Sequence, residues 1–242
     1  KPVVEWKYST CNYCSTGCSI ELGLNDEGKV ITSRGHAGAD VNRGKLCIKG
    51  LMEHELFNSA GRGTQPLMRD RHHEAFVPTD WDSAMDHTAA KIKEIQSKYG
   101  RDAFAVVSTG QLLTEEFYTL GKLVRGCIGT NNYDGNTTLC MASAVAAHKR
   151  AFGADAVPCC YEDLEEAELV VLVGSNLAWN HPVLYQRLKV AKQRNPLLRV
   201  VVIDPRVTDT CELADLYLGL KPGSDARLFT GLLAWMAARN KL

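Results

Sequence analysis

The sequence predicts an α/β chain in two parts: a small N-terminal domain of short strands and loops, then a Rossmann-like domain built on a parallel sheet. Two observations carry this. Four of the nine cysteines fall within the first 47 residues, among turn residues and short alternating stretches, the texture of small strands wrapped round a metal site. Beyond residue 79, apolar runs alternate with segments of helical period, the pattern of a parallel sheet covered on both faces. The expected division is 1–60 for the first domain, 61–78 for a linker carrying Gly61, Gly63, Pro66 and Pro78, and 79–242 for the second.

The elements follow in order. Ser19-Ile20-Glu21-Leu22 alternates as a strand does, and Asn25-Asp26-Glu27-Gly28 is a turn. Thr79 and Asp80 offer an N-cap to a helix in which Trp81, Ala84, Met85, Ala89, Ile92 and Ile95 recur at helical spacing, until Tyr99-Gly100 ends it. A short apolar strand is expected at 103–107 and a helix over 115–125. Residues 169–173 form a continuous apolar run stopped by Gly174, as in a strand buried on both faces. A helix at 183–193, strands at 200–203 and 216–220, and a helix over 226–238 complete the order.

Composition excludes several classes. The 28 Lys+Arg balance 28 Asp+Glu, which argues against a nucleic-acid binder working by bulk electrostatics. No apolar run approaches the ~20 residues of a membrane span. A chain of 242 residues, 45% hydrophobic, buries a core without disulfides. The odd, clustered cysteines suit a metal or cluster better than a disulfide framework. The first residue is Lys1, so any targeting segment is expected upstream.

Cys11-x2-Cys14-x3-Cys18 is followed, after twenty-eight residues, by Cys47. Four thiolates hold either zinc or an iron–sulfur cluster. Structural zinc usually takes two separated pairs, whereas three ligands packed together and a fourth arriving alone suit a cubane, so the spacing favours the cluster. Gly17 relieves crowding in the loop, and Gly44 and Gly50 bracket the distant ligand. Lys49, two residues past Cys47, is either a solvated charge or a bridge from the cluster to a second cofactor.

Three later segments share a form. The 169–173 strand runs through Val173-Gly174-Ser175-Asn176 into Pro182 and a helix, the strand–turn–helix that presents backbone N–H groups to phosphate. Full G-x-G-x-x-G spacing is absent. The next strand ends at Asp204-Pro205-Arg206, either a ribose or phosphate contact or a charge pair capping a turn. Lys221-Pro222-Gly223-Ser224-Asp225 opens the last helix; Asp225 is either an N-terminal cap or an acceptor for a guanine edge. Together the three point to a large phosphate-bearing ligand. Cys127 and Cys211 are expected to be core thiols, Cys159-Cys160 are poorly placed for an unstrained disulfide, and His72-His73 are expected to be solvated.

With these pieces assembled, the chain resembles the N-terminal part of the molybdenum bis(pterin guanine dinucleotide) oxidoreductases, which include bacterial nitrate reductases and formate dehydrogenases. The resemblance rests on Cys11-Asn-Tyr-Cys-Ser-Thr-Gly-Cys18, Asn42-Arg-Gly-Lys-Leu-Cys-Ile-Lys-Gly50, Ser108-Thr-Gly-Gln111 and Asn136-Thr-Thr-Leu-Cys-Met-Ala-Ser143. Gly174-Ser-Asn176, His181-Pro182, Asp204-Pro-Arg206 and Pro222-Gly-Ser-Asp225 follow in the family's order. It implies a [4Fe–4S] cluster on Cys11, Cys14, Cys18 and Cys47, with Lys49 as the relay from cluster to pterin. It implies Cys140 as the thiolate ligand of molybdenum, a role the residues alone did not suggest. It assigns the guanine dinucleotides to Gln111, Asn136, Val173, Gly174, Ser175, Asn176, Asn180, His181, Asp204, Pro205, Arg206, Thr208, Gly223, Ser224 and Asp225.

The branch is read from a few positions. Formate dehydrogenases typically place His after the metal cysteine; here it is Met141, and Cys140-Met-Ala-Ser-Ala-Val-Ala-Ala looks like the nitrate reductases. Gln111-Leu-Leu-Thr-Glu-Glu116 and Gly174-Ser-Asn-Leu-Ala-Trp-Asn-His-Pro182 look like the cytoplasmic, assimilatory branch rather than the periplasmic one. The resemblance therefore implies a catalytic subunit reducing nitrate to nitrite, with Cys140, Met141 and Lys49 at the reaction. Electrons would come from a ferredoxin, a flavodoxin or an NAD(P)H-dependent flavoprotein. The competing readings are a cysteine-ligated formate dehydrogenase and a non-catalytic iron–sulfur electron-transfer subunit. Family members run several hundred residues further, so a fragment or part of a subunit is expected.

Overall fold

The computed structural model describes residues 2–14, 16–69 and 75–242; His72-His73 lie outside them. β1 Glu5–Thr10, β2 Ser19–Leu24 and β3 Val30–Gly35 form a three-stranded sheet in that order. The central strand is buried through Ile20, Glu21 and Leu22, and Glu21 is tolerated inside because Arg34 Nε (2.5 Å) and His36 Nδ1 (2.8 Å) meet its carboxylate. The expected turn is built on Asn25, whose Oδ1 accepts from Glu27 N and Lys29 N. Two short helices, α1 Ile48–Leu51 and α2 Glu53–Asn58, follow. Contacts divide the chain into two compact units.

The first unit comprises Lys1–Ser15, Leu22–Ser33 and Met52–Ala156. β4 Leu67–Met68 pairs antiparallel with β5 Val77–Pro78. α3 Trp81–Tyr99 has the expected cap, Asp80 Oδ1 accepting from Ser83 N at 2.8 Å, and ends at Gly100 with φ +87°. The expected strand at 103–107 is shifted: a 3-10 turn takes Arg101–Ala103, and β6 Val106–Ser108 pairs in parallel with β7 Tyr133–Gly135. Between them α4 Thr114–Gly121 widens into a π-helix, Lys122–Ile128. The wider i→i+5 turn points Val124 and Ile128 inward and carries Cys127 off that face, so Cys127 is exposed and not the expected core thiol. After β7 come α5 Thr137–Cys140 and α6 Ala142–Phe152.

The second unit comprises Thr16–Glu21, Arg34–Leu51 and Val157–Leu242. After α7 Asp163–Glu166, the strands β8 Leu169–Val173, β9 Arg199–Ile203 and β10 Leu216–Leu218 form a parallel sheet in the order β10-β9-β8. α8 Leu177–Asn180 and α9 Pro182–Arg194 cross from β8 to β9, and α10 Asp225–Ala237 follows β10. Val170, Leu172, Val200 and Val202 pack with Leu188, Ala191, Leu198 and Leu213 as the core. β8 corrects one expectation. Only its Val170 and Leu172 face is buried; Leu169, Val171 and Val173 are 56%, 45% and 41% exposed. A continuous apolar run records the side chains and not how many faces have a helix against them. Cys211 is half-buried against the core.

Candidate functional site

In a parallel sheet the ligand edge is where the strands' carboxyl ends open, and the expected site residues leave from such edges in both units. In the first unit Ser108 pairs with Gly135, so 109–111 and 136–141 depart side by side. Asn136 Oδ1 accepts from Gly110 N at 2.7 Å. Residue 110 must be glycine for this approach: a Cβ there would stand 2.8 Å from Thr137 Cγ2 and 3.0 Å from Asn136 Oδ1. Gln111 and Asn136 are thereby held together, both exposed. Cys140 closes α5 as an exposed free thiol, its N–H donating to Asn136 O at 3.0 Å, and Met141 follows, 39% exposed. Below them, Thr138 Oγ1 and Gly135 N both donate to Asp134 Oδ1; the Thr138 hydroxyl first, then the amide, hold that carboxyl below its ordinary value.

In the second unit the loops after β8 and β9 are bonded to each other. Gly174 N donates to Ile203 O at 2.8 Å, with φ +56° and open space where a side chain would stand. Thr210, fully buried, accepts from Ala178 N (3.1 Å) and donates to Asn176 Oδ1 (3.4 Å), and Trp179 Nε1 donates to Asp209 Oδ2 (2.8 Å). Asn176, Trp179, Arg206, Val207, Thr208 and Asp209 line a cavity of about 180 Å³. Asp204 Oδ1 accepts from Arg206 N at 2.8 Å, so this carboxylate shapes the turn through the backbone and Arg206 keeps its guanidinium for the cavity. Pro205 and Asn180 are exposed in the same loops. His181 holds the N-cap position of α9 without a side-chain cap bond. Gly223, Ser224 and Asp225 follow β10, the next strand along the same edge; Ser224, not Asp225, occupies the N-cap position of α10, and its Oγ donates to Lys221 O at 2.6 Å.

The four cysteines expected to hold the cluster are divided between the two units. Cys11, buried, and Cys14, half-buried, belong to the first; Cys18, buried, and Cys47, half-buried, belong to the second. Asn42, fully buried, joins the flanks of the last two: its Oδ1 accepts from Ser19 N at 2.9 Å, and its Nδ2 donates to Ser19 O (3.0 Å) and Lys45 O (2.9 Å). Lys49 lies on α1, exposed.

The residues fit the implied groups. Two of the four cysteines are buried and two half-buried, and four thiolates are a donor set suited to an iron–sulfur cluster. Among the described residues no three His, Cys, Asp or Glu gather at a single ion's distance; a four-iron cubane gives each thiolate its own iron and does not ask for that. Thr208 Oγ1 is buried without a hydrogen-bond partner among the described residues, a polar atom in a cavity that a dinucleotide would satisfy.

Sequence reasoning missed Asn42, Gly110, Thr210 and Arg187. The first two stood inside recognisable motifs, 42–50 and 108–111, without a role. Arg187 did carry a signal: it lies four residues from both Val183 and Ala191, on the buried stripe of α9, where a charge demands partners.

A family model described as molybdopterin oxidoreductase matches residues 62–242, and one described as molybdopterin oxidoreductase Fe4S4 domain matches 4–59. A nitrate reductase of Klebsiella oxytoca is 47% identical over 234 residues, 97% of this chain and 26% of the relative. A periplasmic nitrate reductase of Desulfovibrio desulfuricans is 38% identical over 98% of this chain and 31% of its own. The chain thus spans about a quarter to a third of these relatives' length. The solved structure of acetylene hydratase from Pelobacter acetylenicus superposes with a TM-score of 0.82 at 24% identity, over 97% of this chain and 32% of that one, a likeness of fold. Among the described residues no helix is long and apolar enough to cross a membrane.

Proposed function

The chain belongs to the molybdopterin oxidoreductase family, whose cofactors are a [4Fe–4S] cluster and a molybdopterin, and on that premise we propose that the whole protein is a cytoplasmic, assimilatory nitrate reductase. In this reading nitrate, two electrons and two protons become nitrite and water. The observation that carries it is Cys140-Met141: an exposed free thiol at the carboxyl edge of a parallel strand pair, followed by methionine and not histidine. The two nitrate reductases at 47% and 38% identity support the substrate.

When bound, molybdenum supplies two-electron oxygen-atom transfer and the cluster supplies electrons singly. The chain's own residues do the rest. Cys140 would hold the metal, on a loop fixed by the Gly110–Asn136 bond. Met141, beside it, would border the substrate position without offering a base. Gln111 and Asn136 would face one part of the cofactor. Val173, Gly174, Ser175, Asn176, Asn180, His181, Asp204, Pro205, Arg206, Thr208, Gly223, Ser224 and Asp225 would hold a guanine dinucleotide along the β8–β10 edge, with Arg206 and the Thr208 hydroxyl as its charged and neutral partners. Cys11, Cys14, Cys18 and Cys47 would hold the cluster, with Lys49 between it and the pterin. The donor would be a ferredoxin, a flavodoxin or an NAD(P)H-dependent flavoprotein. The same proposal keeps 1–60 as the cluster domain and 79–242 as the dinucleotide domain, joined by 61–78; the two family-model spans, 4–59 and 62–242, support a division near residue 60.

The test uses the full-length protein, purified anaerobically. Iron and molybdenum near four to one, with nitrate reduced and formate untouched, is the expected result. Cys140→Ser should keep its iron and lose nitrate turnover; full turnover in that variant would remove Cys140 from the metal. Formate oxidation without nitrate reduction would reassign the substrate, and iron without molybdenum would leave an electron-transfer subunit.

A further inference from the structure

We propose that Arg187 is a positioning residue for the cluster, clamping the loop that carries Cys47 to the helix that follows the dinucleotide loop. This rests on the reading of Cys18 and Cys47 as cluster ligands. Arg187 sits on α9 and is 2% exposed. Its Nη1 donates to Asp40 O (3.0 Å) and Val41 O (2.7 Å), its Nε to Glu165 Oε1 (2.6 Å) and its Nη2 to Glu162 Oε1 (2.7 Å). The carboxylates are shared: Arg43 Nη1 donates to Glu165 Oε2 (2.8 Å) and Arg43 Nη2 to Glu162 Oε1 (3.1 Å). Arg187 from α9 and Arg43 from the segment itself thus pin residues 40–43 to α7 and α9.

The grip passes directly to the cysteines' neighbours. Asn42 continues from Val41 to Ser19, next to Cys18, and to Lys45, two residues before Cys47. Gln186 Nε2, beside Arg187, donates to Leu46 O at 3.4 Å, next to Cys47. The Arg187 guanidinium lies 5.6 Å from the centre of the Tyr161 ring, and the Tyr161 hydroxyl donates to Thr16 O at 3.0 Å, two residues before Cys18. All these residues belong to one unit. A buried ion pair is a poor source of stability compared with an apolar side chain of the same size. What it provides is geometry: a planar fork with fixed directions, which lysine lacks. Backbone held this closely around thiolate ligands sets the hydrogen bonds and solvent access that tune a cluster.

The experiment compares full-length, cluster-loaded protein with Arg187→Lys and Glu165→Gln. Its readouts are iron release to a chelator and the electron paramagnetic resonance spectrum of the reduced cluster, with circular dichroism as the folding check. Arg187→Lys is expected to fold, release iron at least fivefold faster and give an altered spectrum; Glu165→Gln should fall between it and wild type. A folded Arg187→Lys with wild-type iron release and spectrum overturns the proposal. Should Arg187→Lys not fold, Glu165→Gln decides: a changed spectrum supports the clamp and an unchanged one overturns it. Wild-type protein that binds no iron overturns the cluster reading itself, and this failure is seen before any variant is made.

Discussion

Single residues in this protein act mainly by what they hold in place. Asn42 makes three hydrogen bonds from a fully buried amide, and removing one partner leaves buried backbone groups unsatisfied, which costs about 1–3 kcal/mol. Asn42→Ala should therefore lower the unfolding free energy by about 2 kcal/mol in urea titrations of the iron-free protein; a change within error would show that water replaces the amide. Asn42→Asp keeps the acceptor and loses both Nδ2 donations, so it should cost a similar amount. Gly110 acts sterically. A Cβ at 2.8 Å from Thr137 Cγ2 must push the Asn136 loop, and with it Cys140. Overpacking of this kind costs about 1–3 kcal/mol, and a displacement of the order of 1 Å near reacting groups costs about a hundredfold in rate. On the proposed nitrate-reducing function, Gly110→Ala should fold, bind iron normally and lose at least tenfold of the nitrate turnover. Unchanged turnover would mean the 109–111 turn does not position Cys140.

At the scale of elements, α9 is the member on which both the sheet and the loops depend. Its Leu188 is fully buried against Val170, Leu172, Val200 and Val202, so Leu188→Ala should cost about 2–5 kcal/mol, read as a lower urea midpoint with an unchanged slope. Ion pairs anchor the helix at its middle, through Arg187, and in its last turn, through Lys192. Hydrogen bonding from Arg187 leads in drawing the Glu162 carboxyl from its ordinary 4.5 down to about 2. Lys192, and then Val200 N, do the same for Asp215, from 3.8 to about 2. Both pKa values are depressed by folding, so their contribution is complete above the unfolded values and is lost as pH falls through ~4.5 towards ~2. The thermal midpoint should be flat from neutral pH to about 5 and fall below about 4.5, and Glu162→Gln should fall less steeply over that window. Parallel curves for variant and wild type would remove Glu162 from the acid response. β8 and α3, one from each unit, were legible because each advertises itself locally: a five-residue apolar run for β8, a cap and a 3.6 period for α3. The π-helix was not legible, since nothing in Lys122 to Ile128 distinguishes an i→i+5 turn from an α-helix by composition.

For the molecule as a whole, what the sequence conceals is partnership across distance. The four cysteines proposed as cluster ligands, Cys140 and the three strand-end loops stand in recognisable segments. Arg187 instead meets Asp40 O and Val41 O across 147 and 146 residues, and no local pattern names that pair. The same contrast predicts how the protein comes apart when iron is removed. The β8–β10 sheet keeps an apolar core of Leu188, Leu198, Val200 and Val202, all fully buried. The 36–47 segment buries little apolar surface beyond Leu46 and is held by Asn42, Arg187 and Arg43 through polar bonds. Segments with few buried apolar contacts open at lower free energy than core strands, and a cluster that binds only the folded loop adds stability there by mass action. Limited trypsin digestion of iron-depleted full-length protein should therefore cut after Arg43, Lys45 or Lys49 before it cuts at Lys189, Lys192 or Arg199, and iron-loaded protein should resist at the first three sites. Cleavage at Lys189 or Lys192 first would mean that α9 depends on the cluster loop for its own stability, reversing the order in which the two support each other.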